Sequence, residues 1–247
     1  MSGHSKWSTI KHKKATQDAR RASVFTKLGN MISISASEGG KDLETNFKLK
    51  MAVEKARSLN MPKDNIERAI KRGTGKLKNE DKIEEIIYEA YFSSESGQIA
   101  MLIKTVTDNK NRTVGEIRHI LIKNSGKLVA SGSVGYLFNT IGEIILEIDE
   151  QKIDEAELLV IEAGAEDIEK NKNTLIIYAK ANNFQKVKEN IEKNNFKVKS
   201  AELSFIANQK NKLTEEDENK YKNLLEILNE NDDVVDIYDN RLLTRLH

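Results

Sequence analysis

The run Lys6-Trp7-Ser8-Thr9-Ile10-Lys11-His12-Lys13-Lys14 sets lysines around the chain's only tryptophan. Lysine is a point charge suited to phosphate oxygens, and an aromatic ring among lysines can stack on an unpaired base or lie against a ribose. Arg20, Arg21 and Lys27 continue the run, and a second group, Arg68, Lys71 and Arg72, falls opposite Ile66 and Ile70 on a helical pattern. The candidate nucleic-acid-binding set is therefore Lys6, Trp7, Lys11, His12, Lys13, Lys14, Arg20, Arg21, Lys27, Arg68, Lys71 and Arg72. Two plainer readings stand beside it: Trp7 packs on a helical core while the lysines solvate a tail, and a charged outer face is what any amphipathic helix shows.

The distribution of charge favours the first reading. Residues 1–79 hold 18 Lys and Arg against 7 Asp and Glu, a net of +11, whereas the rest holds 22 against 32, a net of −10. A basic cluster of that size attracts a polyanion through summed Coulomb forces, and it does so for RNA, DNA or an anionic membrane alike. No stretch of 18 apolar residues occurs and the basic N-terminus has no apolar segment behind it, so a membrane partner is not expected and a cytoplasmic protein is. With no cysteine, disulfides and thiolate-held metals are excluded.

Catalytic patterns are weak. The four histidines, at 4, 12, 119 and 247, share no metal-ligand spacing. Gly73-Thr74-Gly75-Lys76-Leu77 lacks the glycine spacing and the hydroxyl residue of a phosphate-cradling loop, and Ser131-Gly132-Ser133-Val134-Gly135 lacks the first glycine of a nucleophile elbow. The expectation is a non-enzyme with no cofactor, no metal and no small-molecule substrate, whose partner is nucleic acid.

The elements that would position these residues follow from periodicity. Ala22, Phe25, Leu28 and Ile32 predict a helix over about 15–37, stopped at Gly39-Gly40; Leu49, Ala52, Val53 and Ala56 predict a second over 46–59. Pro62 separates that helix from a third, with Asp64 and Glu67 as a capping box and Gly73 at a left-handed end position. From Lys82 the period shortens. Strands are predicted at 86–92, 99–106 and 133–138, with a helix over 113–124; then strand 142–148, helix 154–163, strand 174–179, helix 184–194 and strand 197–205. A helix from Thr214 to about Leu228 and a strand over 234–238 cannot bury themselves alone, so they return to the first sheet. The fold class is α+β: a basic helical domain over 1–79, a discontinuous α/β domain over 80–140 plus 208–247, and an α/β domain inserted over 141–207, the last two ferredoxin-like with mixed or antiparallel sheets.

Three long stretches carry a resemblance: the opening Ser2-Gly3-His4-Ser5-Lys6-Trp7 with Ile10-Lys11-His12-Lys13-Lys14, the run from Asn60 to Gly75, and Thr107-Asp108-Asn109-Lys110-Asn111-Arg112-Thr113. They closely resemble the YebC/PmpR family, whose eukaryotic relatives include the mitochondrial translational activator of cytochrome oxidase. The resemblance implies three domains, no catalytic residues and a role in gene expression, as a DNA-binding transcriptional regulator or as a ribosome-associated translation factor. It also implies that Lys6, Lys11, Lys13 and Lys14 form the basic motif and Arg68, Lys71 and Arg72 the second basic helix. The chain departs from the family pattern at Ala90-Tyr91-Phe92-Ser93-Ser94, where a turn with glycine and proline is usual. Ribosomal RNA is favoured over duplex DNA, because lysine lacks arginine's bidentate fork for base edges and the acidic remainder would be repelled by a long duplex.

Overall fold

The computed structural model describes residues 4–75, 82–171, 173–194 and 196–242, with side chains described from residue 22 onward except at 150 and 171. The chain forms two compact units, Met1–Val134 with Asn211–His247, and Gly135–Lys210.

Three helices open the first unit: α1 (His4–Gly39), α2 (Phe47–Ser58) and α3 (Lys63–Gly73). Leu28, Ile32 and Ala36 repeat at four-residue spacing along α1 and bury against Leu49, Val53 and Ala56 of α2 and Ile66 and Ala69 of α3. Helix α1 ends where Gly40 takes a φ of +81°, a conformation costly for any residue with a Cβ. Asn46 then fixes the turn into α2. Its amide donates to the carbonyls of Ser35 and Gly40, each at 2.8 Å, and its Oδ1 accepts from the Leu49 N–H at 3.0 Å.

Two details of α3 differ from the sequence expectation. The helix starts directly after Pro62, which caps it without a side-chain hydrogen bond, so Asp64 already lies in the first turn and cannot cap; Glu67 instead reaches Lys63 at 3.7 Å. Gly73 is the last helical residue rather than a left-handed one, and its role is close approach: a Cβ there would stand 2.0 Å from the Ser33 carbonyl oxygen of α1. Ser33 Oγ also donates to the Ala69 carbonyl at 2.8 Å, so α1 and α3 meet backbone to backbone along this line.

Strands β1 (Glu84–Ser94), β2 (Gly97–Thr107), β3 (Gly126–Val129) and β8 (Val234–Asp239) form one antiparallel sheet in the order β3-β1-β2-β8, with α4 (Lys110–Lys123) and α7 (Glu215–Glu230) on one face. Phe92, Ile99, Met101 and Ile103 bury there against Ile117 and Leu121 of α4 and Tyr221, Leu224 and Leu228 of α7. The residues Ala90 to Ser94, where the chain departs from the resembled pattern, run as strand β1, and Phe92 is in the core. The strand expected over 133–138 is absent. Its place is taken by β3 and by a loop that wraps the buried Glu89 carboxylate, which accepts the N–H groups of Gly132 and Val134 at 2.6 Å each.

Helix α7 is capped by Thr214, whose hydroxyl accepts from the Asp217 N–H at 3.4 Å. Asp217 itself accepts from Ser96 Oγ at 2.6 Å and Ser96 N–H at 3.3 Å, tying α7 to the β1–β2 turn. The Ser96 hydroxyl, followed by Ser94 and Thr214, holds this carboxyl down at about 2 against 3.8 ordinarily. A carboxyl whose pKa is lower folded than unfolded contributes stability above pH 4 that is lost as pH falls toward 2. Asp217→Asn is therefore expected to lower the urea midpoint at pH 7, with the gap to the parent protein closing between pH 4 and pH 2.

The second unit runs β4 (Phe138–Glu147), α5 (Ile153–Ala163), β5 (Asp167–Asn171), β6 (Thr174–Lys180), α6 (Phe184–Lys193) and β7 (Lys197–Ala207). Its sheet order β5-β6-β4-β7, with every pairing antiparallel, is the ferredoxin-like β-α-β-β-α-β arrangement. Ile144, Leu146, Leu175 and Ile177 face α5 and α6 and bury against Val160 and Ile191. Strand β5 escaped the sequence reading because Asp167-Ile168-Glu169-Lys170-Asn171 has one apolar residue, as an edge strand tolerates. Among the described residues no helix is long and apolar enough to cross a membrane.

Candidate nucleic-acid interface

Lys6, Trp7, Lys11, His12, Lys13, Lys14, Arg20 and Arg21 all fall on α1, and their side chains lie outside the described ones. The other four candidates separate into two kinds. Arg68 and Lys71 are exposed on α3. Lys27 and Arg72 turn inward. The Lys27 ammonium donates to the Asn229 carbonyl near the end of α7, and burial pushes its pKa down while Asp232 and Asp236 oppose that. The Arg72 guanidinium meets Asp108 at 2.7 Å and Asn30 Oδ1 at 3.3 Å.

Asp108 belongs to a network the sequence reading did not assemble. Asn109 caps α4, accepting the Arg112 N–H at 3.0 Å. Arg112 in turn reaches Asp108 at 3.1 Å and the buried Asp233, which precedes β8, at 3.0 Å. Asp233 Oδ2 also accepts from Thr113 Oγ1 at 2.6 Å and Thr107 Oγ1 at 3.2 Å. Hydrogen bonding to Asp233 raises the Arg112 pKa further. The motif from Thr107 to Thr113 is thus a joint: it holds α3 through Arg72, the start of α4, and the last strand at one point.

Two clefts flank this joint. The larger, about 780 Å³, lies between α1 and α3 and is lined by Phe25, Thr26, Asn30, Met61, Asn65, Arg68 and Arg72 among others. The smaller, about 520 Å³, shares Thr26, Asn30, Arg72 and Asp108 but is lined beyond them by Arg112, Glu116, Glu230, Asp232 and Asp233. The carboxylates of the smaller cleft repel phosphate, so an anionic ligand is directed to the Arg68 side.

The two glycine-containing segments considered in the sequence behave differently among the described residues. The N–H groups of Gly132 and Val134, which could have cradled an oxyanion, are taken by Glu89. Thr74 caps α3 and Gly75 has a φ of +67°, while Lys76 and Leu77 lie outside the described residues. Among the described residues no group of three His, Cys, Asp or Glu side chains is placed to hold a metal ion.

Comparison with known proteins matches residues 5–76 to the N-terminal domain of TACO1/YebC proteins and residues 83–241 to their second and third domains. The chain belongs to the TACO1/YebC family. A family relative from Caldanaerobacter subterraneus, named a probable transcriptional regulatory protein, is 46% identical over 97% of this chain and 98% of its own length. A relative of the same name from Fervidobacterium nodosum is 48% identical over 97% and 93%. The crystal structure of a conserved hypothetical protein from Aquifex aeolicus superposes with a TM-score of 0.77 at 38% identity, covering 93% of each chain. The boundary between the two TACO1/YebC matches falls after α3, so the Arg72–Asp108 pair joins residues of one matched domain to the other.

Proposed function

We propose that this TACO1/YebC chain is a non-enzymatic regulator of gene expression that grips nucleic-acid phosphates through its basic N-terminal helices, and that its target is ribosomal RNA on the ribosome. The observation that carries the reading is the division of the cations: Arg72 and Arg112 are committed to Asp108 and Asp233, whereas Arg68 and Lys71 stand exposed on α3 in the part of the chain whose net charge is +11. The Lys6–Lys14 motif lies on α1, the same helix that carries the core of that layer.

The names of the relatives favour a second reading, a DNA-binding transcriptional regulator. Against it, α3 exposes Asp64 and Glu67 beside Arg68 and Lys71, and a helix laid in a major groove would bring those carboxylates against the phosphates. Structured RNA is met through shape and scattered phosphate contacts, which a mixed surface permits.

Gradient sedimentation of the native protein with and without RNase, beside a titration against random duplex, separates the two. RNase-sensitive co-migration with ribosomal particles is expected, with about six phosphate contacts giving a log–log salt slope of roughly −5 on duplex. Lys13→Glu with Lys14→Glu should reduce that slope by about 2 and weaken binding about tenfold. Absence from ribosomes together with tight, sequence-dependent duplex binding would instead establish the transcriptional reading.

A further inference from the structure

The part of the chain after residue 79 carries a net charge of −10, yet one helix face within it is cationic. Gly115, Arg118, His119 and Ile122 recur at i, i+3, i+4 and i+7 along α4, so they share one side of the helix, and Lys123 flanks them on the side of α7. All five are exposed, Ile122 at 67%. Thr113, Ile117 and Leu121 take the opposite side and are buried.

The charges of α4 fall into two groups. Lys110 pairs with Glu84, Arg112 with Asp108 and Asp233, and Glu116 accepts from Asn231 at 2.7 Å. Arg118, His119 and Lys123 have no ion pair or side-chain hydrogen bond among the described residues. The exposed carboxylates on neighbouring elements, Glu226 and Glu230 on α7 and Glu95 in the β1–β2 turn, pair with none of the three. Helix α7 meets α4 through Asn231 at Glu116 and Asn223 at Asn124. Arg118 leaves the helix about 200° around from Glu116, on the side away from the α7 acids.

One large apolar side chain is too little for a protein interface, whose centre is apolar and whose charges lie at the rim. Two cations, a planar imidazole and an exposed isoleucine around an open glycine suit single-stranded nucleic acid, whose phosphates meet point charges and whose unpaired bases lie on flat side chains. Nothing stands within 4 Å of a Cβ at Gly115, so packing does not require glycine in this helix interior, and the missing side chain lets a nucleic-acid backbone come close. We infer that the outer face of α4 is a second RNA contact, taking phosphates on Arg118 and Lys123 and an unpaired base on His119 and Ile122. The inference rests on the nucleic-acid reading proposed above but assigns a site in the acidic part of the chain, apart from the basic helices.

The test is fluorescence anisotropy of the full chain across a salt series with a labelled single-stranded RNA of about twelve nucleotides, beside a duplex DNA of the same length and a glutamate-rich peptide. Arg118→Ala with Lys123→Ala is expected to weaken RNA binding about tenfold and to reduce the log–log salt slope by about 1.4, the share of two phosphates on a single strand. His119→Ala should weaken it about fivefold with the slope unchanged, as the loss of one stacked base requires. Lys222→Ala removes an α7 cation paired with Glu218 and is the control expected to change neither. Full RNA affinity in the Arg118 and Lys123 variant, while Lys13→Glu with Lys14→Glu still loses binding, overturns the second contact and leaves the proposed function standing. Failure of the parent chain to bind RNA overturns both. A loss confined to the duplex would assign the face to DNA, a loss confined to the peptide would assign it to an acidic protein, and an equal loss in the Lys222 control would make it a general effect of charge; each of these overturns the RNA contact.

Discussion

Replacing Gly73 by alanine is expected to lower the thermal midpoint of the unit that contains it by about 10 °C, corresponding to roughly 3 kcal/mol. The added methyl would stand 2.0 Å from the Ser33 carbonyl oxygen and 2.8 Å from its carbon, and both belong to the backbone of α1, which no rotamer change can move aside. Alanine is the better helix former by about 1 kcal/mol, so the overlap has to outweigh that gain before any loss is seen. Gly115 supplies the control. It lies within α4 with nothing inside 4 Å of an added Cβ, and Gly115→Ala should raise stability by up to about 1 kcal/mol. Opposite signs for the same substitution in two helices, read from calorimetry, would separate close approach from propensity; matching signs would mean that α1 and α3 are not locked along Ser33 and Gly73. Amide exchange along α2, which shares the same core, should quicken in Gly73→Ala alone.

Asp233→Ala is the second large effect, about 3 kcal/mol by urea unfolding. The side chain is 8% exposed and accepts from Arg112, Thr113 and Thr107, so its removal takes away the shared acceptor at the centre of the joint and leaves Arg112 with Asp108 and the Thr113 hydroxyl with the Asn109 carbonyl. Arg112→Ala should cost less, about 1 kcal/mol, because the arginine is 45% exposed and solvent already shares its charge. The double variant should cost little more than Asp233→Ala, since the two share one interaction. Costs that simply add would show that Arg112 and Asp233 are not coupled.

How much of this was legible beforehand depended on the range of the interaction. Leu28, Ile32, Leu49, Val53 and Ile66 announced the helical layer because a 3.6-residue period is local, and Thr214 announced α7 because a cap lies within one turn of what it caps. The third strand was misplaced because Val134, Tyr136, Leu137 and Phe138 make an apolar run that suits a strand, yet what decides that segment is a carboxylate 43 residues upstream of Gly132. Gly73 showed itself as a helix end but not as a contact, since its neighbour Ser33 is remote in sequence. The joint was hidden for the same reason: Thr113 and Asp233 are separated by 120 residues. The basic residues were legible as a group, but only coordinates separate the inward Arg72 from the exposed Arg68 one helical turn away.

The position of β8 sets an order on synthesis. Strand β2 runs beside β8, yet the 76 residues of the second unit, Gly135–Lys210, are translated between them. A nascent chain therefore carries its inserted ferredoxin-like unit, able to close from local pairings, before the enclosing sheet has its fourth strand or Asp233 has emerged to meet Arg112. Until then β2 presents an open edge whose main-chain groups would pair with any strand offered. The last strand to be made is the one that protects the sheet begun more than a hundred residues earlier, so a pause within the insertion prolongs the stage at which the edge of β2 is open.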